Sequence, residues 1–235
     1  MAARLLLFDC DSTLSAIEGI DELGRLRGPE VFREVEEMTT AAMEGGTPME
    51  AIFARRLDMI CPTKSELEAI GRQYIDTVEP TALATIDALK NAGWQIAIVS
   101  GGFTQAILPL ADFLGIDRVE AVELKFHHDG SYAGFNEACP TSRTKGKNAV
   151  VRQLREETNA DFVILVGDGA SDLEVKGDAD MVIGFGRYAV RPKVKAGADA
   201  FIMSLAELPE LVAARGGGFQ PPCPSSLISS PLSTP

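Results

Sequence analysis

The stretch 5–14, LLLFDCDSTL, constrains this chain more than any other. Four apolar residues in a row, 5–8, are too few for a helix and fit a fully buried strand of a parallel sheet. Asp9, Asp11, Ser12 and Thr13 follow at its carboxyl end, the side of an open α/β sheet where ligands bind. Two acids two residues apart crowd negative charge where burial makes it costly. A hard cation relieves that cost, and magnesium takes carboxylate ligands. The same residues also suit a plain turn, with Ser12 or Thr13 capping a helix. The rest of the chain has to decide between site and turn.

After this strand, 15–74 shows apolar residues at helical spacing and no convincing strand. A first helix breaks at Gly28-Pro29, a second is predicted over 29–43, and Gly45-Gly46 stops it. A third starts near Thr47-Pro48 and puts Met49, Ile52, Phe53 and Arg56 on one face; a fourth covers 65–74. From Pro80 strands and helices alternate. Helices are predicted over 81–92, 104–114, 148–158 and 207–215, and strands over 95–99, 121–126, 162–166, 181–185 and 200–203. Asp129-Gly130 marks a tight hairpin turn. Alternation implies an α/β fold, a Rossmann-like doubly wound parallel sheet with right-handed crossovers. The core is then discontinuous, 1–14 and 75–215, with a small helical cap domain, 15–74, inserted after the first strand. The glycine-, proline- and serine-rich segment 216–235 is expected to be disordered.

Three buried strands end in suggestive residues: Asp9 and Asp11, Ser100-Gly101-Gly102, and Asp168 with Asp172. In a parallel sheet these ends share one edge, so residues far apart in sequence converge. The chemistry they suit is phosphoryl transfer. A carboxylate nucleophile splits one hard displacement into two through an aspartyl-phosphate. Its repulsion from a phosphate dianion is offset by magnesium on Asp9 and Asp168 and by a lysine, each cation–anion contact worth on the order of 4 kcal/mol at ~4 Å before desolvation. The Ser100 hydroxyl and nearby amides suit phosphate oxygens. Net charge of −12 argues against nucleic acid or an anionic membrane as partner, so an anionic substrate needs locally gathered positive charge. Four scattered cysteines without a CxxC pair suit reduced thiols in the cytoplasm. No apolar run has transmembrane length, and Asp9 ends the first one too early for a signal peptide. His127 and His128, adjacent on a strand, face opposite ways and share no metal.

Asp9-Cys10-Asp11-Ser12-Thr13, Ser100 in VSGGF, and Gly167-Asp168-Gly169-Ala170-Ser171-Asp172 occur in the order of the haloacid dehalogenase superfamily motifs. Over 5–211 the chain resembles that superfamily, and within it the phosphoserine-hydrolysing branch, nearer the eukaryotic type. The resemblance implies Asp9 as nucleophile and Asp11 as the acid, then base, of the two steps. It implies Mg2+ on Asp9, Asp168 and the backbone carbonyl of Asp11, with Asp172 orienting these ligands. Ser100, Gly101, Gly102 and Ser171 would contact the substrate. The motif lysine is Lys145 or Lys147; the family's apolar positions at +3, +4 and +7 fall on Val150, Val151 and Leu154 from Lys147, which is favoured. EGIDEL resembles the segment that sets Glu18 against an ammonium. ARRL puts Arg56, with Arg55 as rival, on a carboxylate, where a guanidinium fork suits two oxygens. Met43 and Met49 would shield the ligand, Met49 replacing the usual phenylalanine. Cys10 and Ser171 also depart from the pattern, conservatively. The implied reaction is hydrolysis of O-phospho-L-serine, the last step of serine synthesis, by a monomer or homodimer. Two alternatives are a phosphatase or phosphotransferase for another small phosphomonoester, and a non-catalytic protein holding phosphate and magnesium. Asp11 and Thr13 favour turnover.

Overall fold

The computed structural model describes residues 3–44 and 49–215. Strand β1 (Arg4–Phe8) leads into one tight turn, Cys10–Leu14, in which Ser12 takes a left-handed backbone, φ 51°. Helices α1 (Gly19–Arg25), α2 (Pro29–Met43), α3 (Met49–Ile60), α4 (Lys64–Asp76) and α5 (Ala82–Asn91) follow before β2 (Trp94–Phe103). Then come α6 (Thr104–Phe113), β3 (Arg118–Val122), the antiparallel pair β4 (Leu124–Phe126) and β5 (Tyr132–Phe135), and α7 (Gly146–Thr158). The chain ends with β6 (Phe162–Gly167), α8 (Ala170–Leu173), β7 (Met181–Phe185), α9 (Pro192–Gly197), β8 (Ala200–Ile202) and α10 (Leu208–Arg215).

Six strands form one parallel sheet in the order β3-β2-β1-β6-β7-β8. The chain builds outward from β1 through β2 and β3, then returns to the other side of β1 with β6. At such a reversal an α/β sheet opens a crevice beyond its carboxyl strand ends. Side chains of β1 alternate between two cores. Leu6 and Phe8 pack among Ile86 and Leu89 of α5 and Ile107 and Leu110 of α6, whereas Leu5 and Leu7 join Val150, Val151 and Leu154 of α7. Both faces are covered, which is why the strand reads as an unbroken apolar run.

The helices between β1 and β2 leave and rejoin the sheet side by side. Ser15 and Val78 form an antiparallel bridge, Ala16 N–H donates to Thr77 O at 3.0 Å, and Glu79 N–H donates to Leu14 O at 2.8 Å. Helix α4 packs on α6, with Leu67 and Ile70 in the same core as Ala106 and Leu110. Its start is a capping box: Thr63 Oγ1 accepts from Glu66 N–H, and Glu66 Oε2 accepts from Thr63 N–H.

Several expected elements shift. The strand predicted over 121–126 is two strands in two sheets: Val122 pairs with Phe103 of β2, while Leu124 pairs with Phe135 of the hairpin. Ser100-Gly101-Gly102 is the irregular end of β2 rather than a turn after it. Helix α7 begins at Gly146, two residues early, after Lys145 in a left-handed conformation, φ 58°. The fourth helix starts at Lys64, since Thr63 rather than Ser65 caps it. Helices α8 and α9 are too short to leave a periodic signal. The expected stop at Gly45-Gly46, the start at Thr47-Pro48 and the tail 216–235 lie outside the described residues. Among those described, no helix is long and apolar enough to cross a membrane.

Candidate active site

The carboxyl ends of β1 and β6 bring three buried carboxylates together. Asp9, Asp168 and Asp172 each offer an oxygen within 4.8 Å of the others. Asp9 follows β1, its N–H bonded to Val166 O at 2.9 Å, so its backbone is fixed by the neighbouring strand. Asp172 sits in α8 and accepts from Gly169 N–H at 3.0 Å. Burial, and then repulsion from Asp9, pushes Asp168 up to about 6 and Asp172 up to about 8. Lys147, in the first turn of α7, answers this charge. Its Nζ lies 2.6 Å from Asp172 Oδ1 and 3.0 Å from Asp9 Oδ1. Burial works against the ammonium, but Asp172 and Asp9 outweigh it and hold Lys147 charged, its pKa raised. Arg191, just before α9, donates from Nε to Asp168 Oδ2 at 3.0 Å and sets Nη2 3.7 Å from Glu18 Oε1.

Three buried acids with hard oxygen donors, converging on one point, fit a hard divalent cation. Asp11 lies outside this cluster. Its carboxylate turns toward the helices: Tyr74 Oη and Gly19 N–H both donate to Oδ1 at 2.6 Å, and Ser100 Oγ lies 3.4 Å from Oδ2. A β-carbon on Gly19 would fall 2.2 Å from Tyr74 Oη, so only glycine lets the phenol reach. Burial raises Asp11 to about 6, against the hydrogen bonds from Gly19 and Tyr74.

One cleft under α1–α3 is lined by Asp9, Asp11, Glu18, Arg56, Ser100 and Lys147. Gly101, Gly102, Ser171 and Met43 complete the expected set on its wall. Met43 reaches over Gly169, its Sδ 2.9 Å from where a β-carbon there would sit. The side chain of Met49 lies outside the described residues. Glu18 accepts from Ser12 Oγ at 2.7 Å, and burial pushes its carboxyl well up. Arg56 is buried, and burial lowers its pKa while Asp21 opposes the shift. Its Nη1 donates to Thr39 Oγ1 at 3.0 Å, and Thr39 in turn donates to Asp21 Oδ1 at 2.6 Å. The rival cations stand elsewhere: Arg55 pairs with exposed Glu34, and Lys145 is exposed, its backbone N–H on Glu174. Asp21, Thr39, Tyr74 and Arg191 escaped the sequence reading. Spacing along a chain says nothing of contacts between elements, and none of the four stands at a strand end. The α3 rim meets the loop before α7 where Thr144 donates to Glu50 from N–H at 2.9 Å and Oγ1 at 2.6 Å.

Fold and cleft together define a hydrolase-type α/β protein, and the family model of haloacid dehalogenase-like hydrolases matches residues 6–175. A phosphoserine phosphatase of Bos taurus is 36% identical over 209 residues, 88% of this chain and 92% of its own length. Two solved phosphoserine phosphatase structures, each 30% identical, cover 90% of this chain and 99% of their own. One is a substrate-bound complex, with a TM-score of 0.79, and the other a phospho-aspartyl intermediate analogue, with a TM-score of 0.78. The chain belongs to the phosphoserine phosphatase family of the haloacid dehalogenase-like hydrolases.

Proposed function

We propose that this cleft hydrolyses O-phospho-L-serine to L-serine and phosphate through a phosphate ester of Asp9, the last step of serine synthesis. One observation carries the reading: the buried Arg56 guanidinium and the Glu18 carboxylate open onto the same cleft as Asp9. That pairing complements the carboxylate and ammonium of an amino acid whose phosphate lies toward the sheet. In the first step an Asp9 oxygen bonds to phosphorus, the serine ester P–O bond breaks, and Asp11 gives its proton to the departing oxygen. In the second, water bonds to phosphorus, its proton passes to Asp11, and the Asp9–P bond breaks. Lys147, held between Asp9 and Asp172, balances charge on the transferring group. Ser100 and the Gly101 and Gly102 amides, with Ser171, take its oxygens. Asp9, Asp168 and the Asp11 carbonyl would hold Mg2+, with Asp172 orienting them, to neutralise charge between nucleophile and phosphate. Helices α1–α4 then act as a cap that excludes water. The scattered cysteines support a cytoplasmic setting.

The test is a panel of phosphoserine, phosphothreonine, phosphotyrosine and phenyl phosphate, with magnesium or with chelator. Phosphoserine is expected to give the highest kcat/KM, with turnover lost in chelator. Asp9→Asn is expected to lose turnover by orders of magnitude. Another preferred ester, or an active Asp9→Asn, would overturn the reading.

A further inference from the structure

Tyr74 stands on α4, outside every motif, yet its hydroxyl is fully buried against Asp11. Tyr74 Oη and Gly19 N–H both donate to Asp11 Oδ1, each at 2.6 Å. A carboxyl oxygen has two lone-pair sites, so two donors fill Oδ1. A proton carried by Asp11 then has to sit on Oδ2. That oxygen faces the cleft: Ser100 Oγ lies 3.4 Å from it, and a β-carbon on Gly102 would fall 2.6 Å away. Ser100 and Gly102 both line the cleft wall.

We propose that Tyr74 is a positioning residue that, with the Gly19 amide, confines the Asp11 proton to Oδ2, the oxygen presented to the leaving group. The inference rests on Asp11 being the acid and base of the reaction above. In the first step the Oδ2 proton moves to the departing oxygen as its P–O bond breaks and the Asp9–P bond forms. In the second, the proton lost by attacking water returns to Oδ2. Without the phenol, Oδ1 has an open lone pair, and the proton can sit on the oxygen turned away from the substrate. A tyrosine that merely satisfied its own hydroxyl would affect stability alike for every substrate.

The variant is Tyr74→Phe, which removes one oxygen and keeps the ring. The substrates are phenyl phosphate and 4-nitrophenyl phosphate, which differ in leaving group and not in charged contacts. Nitrophenolate departs without a proton, whereas the more basic phenolate gains from one. Because kcat/KM reports events up to the first irreversible step, the second use of Asp11 does not enter. Tyr74→Phe is expected to lower kcat/KM about tenfold more on phenyl phosphate than on the nitro ester, part of the 10²–10⁴ that general acid catalysis supplies. Asp11→Asn is expected to show the same bias more strongly, and Tyr74→Phe added to it to leave the ratio unmoved. Equal losses on both esters, or no loss, in Tyr74→Phe would overturn the positioning role. An Asp11→Asn enzyme without leaving-group bias would overturn instead the acid role on which it rests.

Discussion

Arg56 shows how much a single side chain depends on neighbours that no motif names. A buried guanidinium needs partners, and the Thr39 hydroxyl supplies one, itself anchored to Asp21 Oδ1 at 2.6 Å. Thr39 also stands 3.0 Å from Val35 O, but its one proton goes to the nearer, acidic oxygen. If Arg56 reads the substrate carboxylate, Arg56→Ala should cost ~2–5 kcal/mol in kcat/KM on phosphoserine and far less on phenyl phosphate. Thr39→Val, which keeps the volume and drops the hydroxyl, should cost ~1 kcal/mol on phosphoserine. It should add nothing once Arg56 is gone, which a double-mutant cycle measures; additive losses would separate the two residues. Asp9, Asp11, Ser100 and Asp168 were legible because a buried strand points at each. Lys147 was legible because the family's apolar positions after the motif lysine fall on Val150, Val151 and Leu154, the buried face of α7. Thr39 and Tyr74 were not, since each acts on a partner from a different helix or loop.

At the scale of elements, α4 is held at its start by Glu66, which closes the cap on Thr63 and takes both Nη atoms of Arg27 at 2.7 Å. The Arg27 hydrogen bonds, helped by the Thr63 amide, pull the Glu66 carboxyl down to about 2. A carboxyl lowered on folding stabilises fully above its unfolded value and loses that contribution as pH falls through the folded one. Glu66→Gln should therefore cost about 1 kcal/mol near neutral pH, the pair being partly exposed. The gap from the parent in urea unfolding should shrink between pH 5 and 2. A gap that widened toward acid would contradict the assignment. Element type was readable wherever periodicity ran for a few turns, as in α2 and α7. The split of 121–126 between β3 and β4 was not, because the alternation of apolar and charged residues runs on across the junction of the two strands. Nor were α8 and α9, whose few residues are set by the strands around them.

For the whole molecule, the doubly wound sheet follows from strands buried on both faces, and the reversal at β1 and β6 sets Asp9 beside Asp168. That much was in the sequence, because apolar runs and connection lengths leave few topologies. How the inserted helices sit was not, since it depends on which faces of α1–α4 meet α6 and the cleft. The insert is rooted at one end: its two crossings are bonded to each other at Ser15 and Val78, and α4 packs into the α6 core. Its far side meets the core through Phe53, edge-on to Phe103 and Phe135, through Met43 over Gly169, and at the rim through exposed Glu50 and Thr144. Amide deuteration should consequently be slow in α4 and faster in α2 and α3, with a phosphate analogue slowing the latter pair; uniform protection would contradict this. A door fastened along its jamb, its free edge resting on a few side chains, swings at a rate set by drag. Turnover limited by that swing would fall as glycerol thickens the solvent, and serine could be paced out of the enzyme by viscosity rather than by bond breaking.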